Sequence, residues 1–133
     1  MLVYPDSMIL IYYLDSIGAF QVLAATRLAL ARSRGDRLAV SDLTRLECRV
    51  TPMRRQAAAT LVKFDDFFAL PDVERIPLSA AVLDRATAIR ANYSYKTLDA
   101  IHLAAAVEAG CGVFLTNDSR LHGFPDIAVE VLQ

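Results

Sequence analysis

The sequence predicts an α/β fold: a central, mostly parallel sheet of about five strands flanked by helices. Short β-like runs recur along the 133 residues, as LVY (2–4), RLAV (37–40), VERI (73–76), GVFLT (112–116) and IAVEVL (127–132). Longer segments with apolar positions at helical spacing separate most of them, the pattern of parallel strands covered on both faces. No internal repeat, low-complexity tract or linker interrupts the chain, so residues 1–133 are expected to form a single domain.

The elements follow in order. LVY leads through Pro5, Asp6 and Ser7 into the apolar helix MILIYYL. Proline donates no ladder hydrogen bond, so the first strand is expected to end before Pro5. Ala19 to Arg34 has helical periodicity, ends basic, and meets Gly35 as a stop. Ser41 and Asp42 then open a helix expected over Asp42–Val50, followed by another over Arg54–Leu70. Phe64, Phe67 and Phe68 form a stripe on the latter that reads as core, with one or two of them open to an interface. Ser79–Asn92 and Thr97–Ala109 are the last two helices, with Thr97 as a cap and Gly110 as a stop. The fourth strand ends at Thr116, and Asn117, Asp118 and Ser119 are turn formers.

Composition narrows the function. Hydrophobic residues make up 55% of the chain and mean hydropathy is +0.35. That excess implies apolar surface used by a partner, in an oligomer or an obligate complex. With a formal net charge of −1, the chain lacks the overall basicity of a nucleic-acid binder. Any such contact must come from a local patch or a metal. Cys48 and Cys111 lie in apolar sequence and read as reduced core thiols of an intracellular protein. The opening MLVYPDS carries no basic leader, and MILIYYL is too short to span a bilayer, so a soluble, cytoplasmic protein is expected.

Ligands of parallel sheets gather at the carboxyl ends of the strands, and acids occupy those positions here. Asp6 follows the first strand, where a plain helix cap also explains it. Glu47, in SDLTRLECRV, stands one turn past Leu43 and faces the core border. A capping box with Thr44, or an ion pair with Arg45 or Arg49, would account for it equally well. Asp99 lies in the first turn of the nearly apolar helix YKTLDAIHLAAAVEAG, sharing a face with His102 and Leu103. The helix dipole is worth only about 0.3–1 kcal/mol to such a carboxylate and offsets part of its burial. Asp118 falls just beyond the fourth strand, where an ordinary turn also suffices. Singly, each acid has a structural explanation. Together they would repel one another, and a divalent cation with oxygen ligands, Mg²⁺ or Mn²⁺, removes that repulsion. No Cys/His cluster has zinc spacing, and His102 reads as a packed core histidine.

At these stretches the sequence resembles the PIN-domain ribonucleases, and among them toxins of the VapC type. YKTLDAIHLAAA is similar to the family's acid-bearing helix, PDSMILIYYLD to its opening motif, VSDLTRLE to its second-acid segment and FLTNDSRL to its last motif. The likeness covers nearly the whole chain. It implies a PIN-like three-layer fold and a metal site of Asp6, Glu47, Asp99 and Asp118, supported by Ser7, Thr116 and Asn117. Pro5 stands where the family usually has an apolar strand residue. The resemblance further implies Mg²⁺- or Mn²⁺-dependent hydrolysis of RNA, leaving a 5′-phosphate and a 3′-hydroxyl. It also implies a homodimer and a cognate antitoxin (VapB-like) that lies across the groove with a basic side chain among the acids. For phosphate contacts the sequence offers Arg45, Arg49, Arg54 and Arg55, which a solvated helix face explains as well. Arg49 or Lys96 could neutralise the acids when no metal is present.

Two other readings fit the same residues. A receiver-type signalling domain shares a doubly wound fold and an acidic Mg²⁺ pocket. It requires a paired-acid loop after the first strand and a Lys after the last motif's strand, and neither is present. A non-catalytic interaction protein could keep the fold and bind only its partner.

Overall fold

Along the first strand, β1 (Leu2–Pro5), Val3 and Tyr4 are both fully buried but enter different cores. Successive side chains of a strand point to opposite faces, so a strand buried on both needs helices above and below it. The computed structural model, which describes residues 1–133, shows that arrangement. Strands β1, β2 (Arg37–Ser41), β3 (Val73–Ile76), β4 (Val113–Thr116) and β5 (Ala128–Val131) pair in the order β3-β2-β1-β4-β5. Every pair is parallel. A receiver domain has the order 2-1-3-4-5, so the strand order overturns that reading.

Four helices cover the Val3 face: α1 (Ser7–Asp15), α2 (Ala19–Ser33), α3 (Asp42–Arg54) and α4 (Ala58–Phe68). They contribute Ile9, Leu10, Leu28, Cys48, Phe64, Phe67 and Phe68 to one core. The phenylalanine stripe is therefore core. The Tyr4 face is covered by α5 (Ala80–Asn92) and α6 (Thr97–Glu108), with Val82, Ile89, Leu103 and the alanines 104–106 in the second core. Small alanines let α6 lie close against the sheet, and that closeness brings its first turn to the strand ends. Both cysteines are free and buried, and burial pushes each thiol up to about 12. No single helix is long and apolar enough to cross a membrane.

Several boundaries differ from expectation. Pro5 belongs to β1, in register with Leu115. The backbone N–H of Asp6 donates to Leu115, so the missing N–H of Pro5 faces β2, where the register of paired residues has already ended at Val3 and Leu38. Proline thus removes no bond that the sheet uses. Helix α3 continues through buried Pro52 to Arg54, and α4 begins only at Ala58. Between them Gln56 takes a left-handed conformation (φ 55°), with Ala57 N–H donating to the Pro52 carbonyl and Gln56 N–H to that of Met53. This closure is usually made by glycine. On α3, Leu46 and Val50 face outwards, with Leu46 59% exposed. The buried stripe is Leu43, Thr44, Cys48 and Pro52. Lys96, not Thr97, holds the cap position of α6, without a side-chain bond, and Leu98 is half exposed.

Candidate active site

From β1 the sheet runs one way to β2 and β3, and from β4 the other way to β5. The carboxyl ends of β1 and β4 therefore form the crevice where α/β sheets take ligands. Asp6 leaves β1 there. Its Oδ1 accepts the Ile9 N–H at 3.1 Å, capping α1, and its Oδ2 accepts the Thr116 hydroxyl at 2.5 Å. Capping and site occupancy are thus compatible, one oxygen serving each. Burial pushes the Asp6 carboxyl above the usual range, against the Thr116 and Ile9 hydrogen bonds, and the charge of Asp99 adds to the rise.

Ser7, the first residue of α1, donates to Glu47 Oε1 at 2.7 Å. The same oxygen lies 2.5 Å from His102 Nε2. His102 is 3% exposed, and its Nδ1 is 2.7 Å from the Tyr4 hydroxyl, which also meets Ser41 and Thr44. A Glu47 carboxylate has no proton to give, so Nε2 carries the hydrogen of that bond. Burial raises the Glu47 carboxyl, but the hydrogen bond and charge of His102, with Ser7, bring it below its ordinary value. Neither sequence explanation of Glu47 applies. The capping box at the start of α3 is Ser41 with Thr44, and Arg49 pairs with Asp65 at 3.0 Å. His102 is a core histidine, as expected, and also the partner of an acid.

Asp99 and Asp118 form the outer edge. The Asp118 N–H donates to Thr116 Oγ1 at 3.0 Å, so one threonine hydroxyl ties together the segments carrying Asp6 and Asp118. Burial and the charge of Asp118 raise the Asp99 carboxyl; Arg120, His102 and Lys96 oppose that rise. Asp118 is held below its usual value chiefly by hydrogen bonds from Arg120, which grips both its oxygens. Arg120 Nη2 is also 3.9 Å from Asp99 Oδ2. The cation beside the acids is therefore Arg120, with Arg49 turned away and Lys96 contributing only at longer range. Asn117 donates its amide to Tyr12. Arg45 and Arg49 line a cavity of about 450 Å³ along the outer face of α3, with Leu46, Val50, Met53 and Arg75.

A chain of contacts thus joins all four predicted acids: Asp118 to Thr116 to Asp6, Ser7 to Glu47 to His102, and Arg120 across to Asp99. No three His, Cys, Asp or Glu side chains converge into a ready-made metal cage. The donor set still fits one class of ion. Its ligands are carboxylate oxygens raised first by burial and then by a neighbouring acid, Asp99 acting on Asp6 and Asp118 on Asp99. Mg²⁺ keeps most of its waters and takes only one or two protein carboxylates, so an open acidic rim suits it. Sequence reasoning missed Tyr4 and Arg120. Arg120 was signalled by its place two residues after Asp118; Tyr4, as an apolar-looking strand residue, gave no signal.

Comparison with known proteins bears on the fold. The family model for the PIN domain matches residues 3–128. No curated protein sequence matches the chain. Among solved structures, the fold is similar to the VapBC2 complex of Rickettsia felis bound to a promoter DNA fragment, with TM-score 0.82, 16% identity and 100% of both chains covered. It is also similar to VapC20 of Mycobacterium tuberculosis, a sarcin–ricin loop cleaving toxin, with TM-score 0.75, 16% identity, and 95% and 98% of the chains covered. A toxin–antitoxin complex from Klebsiella pneumoniae matches with TM-score 0.69 and 21% identity over 95% of each chain. The chain belongs to the PIN domain family.

Proposed function

We propose that this PIN-domain protein is a metal-dependent endoribonuclease, the toxin of a toxin–antitoxin pair. The observation that carries the reading is the crevice between β1 and β4, where burial raises the Asp6 and Asp99 carboxyls and a neighbouring acid adds to each rise, Asp99 at Asp6 and Asp118 at Asp99. Proteins with similar folds include toxin–antitoxin complexes and a sarcin–ricin loop cleaving toxin. By analogy the chain works as one domain in the cytoplasm, as a homodimer held inactive by a cognate VapB-like antitoxin.

Asp6 and Asp99 are the proposed direct ligands of Mg²⁺ or Mn²⁺. Held by them, the ion would supply Lewis-acid charge to the scissile phosphate and acidify a water. Glu47 enters with Oε1 already committed to Ser7 and His102, leaving Oε2 to orient a water or take its proton. Asp118 lies on the opposite edge, able to position the attacking water or a second ion. Water attacks phosphorus, the bond to the 3′-oxygen breaks, and that oxygen leaves as a hydroxyl while the 5′-phosphate remains on the other fragment. Thr116 and Ser7 keep the carboxylates oriented.

The test is incubation of the antitoxin-free protein with total cellular RNA, with and without Mg²⁺ or Mn²⁺, beside Asp99→Asn. Discrete fragments that need metal and vanish in the variant support the reading. Folded protein that cleaves nothing with either metal returns the chain to the interaction-protein reading.

A further inference from the structure

Arg120 is the only Lys or Arg within ion-pair distance of any of the four acids. Its side chain curls back two residues, setting Nε 3.0 and 3.1 Å from the two Asp118 oxygens and Nη2 2.5 Å from Oδ2, with Asp99 at 3.9 Å. Both Asp118 oxygens are thereby occupied by a positive fork. Yet the Arg120 side chain is 60% exposed, and exposed ion pairs are weak and easily exchanged. We propose that Arg120 is a resident counter-cation of the Asp99–Asp118 edge that gives way to a divalent ion and then holds an RNA phosphate beside the acids. The second half rests on the ribonuclease reading above; the first does not.

Without a metal, Asp99 and Asp118 face each other as like charges, and the guanidinium relieves them. A divalent ion relieves the same repulsion with twice the charge, so ion and guanidinium compete for the same oxygens. Displacement costs little at an exposed pair. The freed side chain stays tethered two residues from Asp118, and its planar five-donor fork matches phosphate geometry. The other cation near this edge, Lys96, acts on Asp99 and Asp118 only from beyond ion-pair distance. Arg49 is spent on Asp65, and Arg45 lines the groove on the outer face of α3.

Arg120→Ala should therefore have opposite effects on the two ligands. Calorimetric titration of Mn²⁺ into antitoxin-free protein, without RNA, should show about two- to fivefold tighter binding than wild type, the range of a surface ion pair. In Mn²⁺-supported cleavage of a fluorescent single-stranded RNA, KM should rise severalfold, and the salt dependence of RNA affinity should lose about one ion. Arg120→Lys, which keeps the charge but not the fork, should leave Mn²⁺ affinity near wild type and raise KM. Unchanged Mn²⁺ affinity in Arg120→Ala overturns the counter-cation role. Unchanged KM in both variants overturns the phosphate role. If wild type itself cleaves no RNA, the ribonuclease reading has failed, and the Mn²⁺ titration still decides the first half alone.

Discussion

The two edges of the acidic crevice are built differently. On the inner edge Asp6, Glu47 and His102 sit against the sheet, each oriented by side chains that are themselves buried: Thr116, Ser7, Tyr4. On the outer edge Asp99 and Asp118 depend on an exposed arginine from the turn after β4. The inner edge is held by packing and hydrogen bonds and the outer by charge. An inner carboxylate is therefore pre-positioned at a cost in stability, whereas an outer one is cheap to keep and easy to rearrange. A site that must receive an ion and then release products benefits from one edge of each kind.

Substitutions should separate the two edges, the inner ones having the larger effects. Asp6→Asn should lower metal-dependent cleavage by at least about 10³-fold, the scale on which removal of a metal or oxyanion stabiliser acts. It should also make the metal-free protein more stable at neutral pH. The Asp6 carboxyl titrates above its ordinary 3.8, so the fold retains a proton that the unfolded chain releases. Stability is therefore lost as pH rises from that value through the folded one, and remains lost at neutrality. Urea titrations should show the gain of Asp6→Asn at pH 7 and its disappearance as pH falls below the carboxylate range.

His102→Ala should destabilise by about 2–4 kcal/mol in urea unfolding, because it opens a cavity and strips partners from buried Tyr4 and half-buried Glu47. An equal loss from Asp99→Asn would mean that the two edges are not distinct. Saturating Mg²⁺ at pH 7 should raise stability by about 1.4–2.7 kcal/mol at 10 to 100 times its Kd, and Asp6→Asn should abolish that gain. Smallest is Asp118→Asn, expected within about 0.5 kcal/mol of wild type in thermal unfolding while cleavage falls. Away from both edges, Gln56→Gly should stabilise by roughly 0.5–1 kcal/mol by relieving the left-handed residue between α3 and α4.

Much of this architecture could be read from the residues. Apolar β-runs alternating with helical ones led to a parallel sheet, and acids placed after strands led to the crevice, because both signals are local. The errors share a cause. Pro5 belongs to β1 because a missing N–H matters only on the side where a partner strand needs it, and sequence does not say which side that is. Pro52 stands in a helix that continues past it. Leu46 and Val50 are apolar yet face outwards, while Thr44 and Cys48 face the core. Glu47 had two short-range explanations and satisfied neither, since its partners Ser7 and His102 lie far away in the chain. Pairings across such separations are invisible to spacing arguments, and Tyr4 and Arg120 acquire their roles only once the sheet is assembled.

The bond between Thr116 and Asp6 spans 110 positions of sequence. During synthesis Asp6 emerges 110 positions ahead of its hydroxyl partner, which ends the strand beside it just before the turn bearing Asp118 and Arg120. Until then β1 has β2 on one side only, and the crevice lacks its second wall. Non-local parallel pairings of this kind form late, after most of the chain is available. The growing polypeptide therefore carries Asp6 and Glu47 unassembled until that stretch has been made. A protein proposed to cut RNA thus completes its site only after β4 and the turn that follows it have been translated.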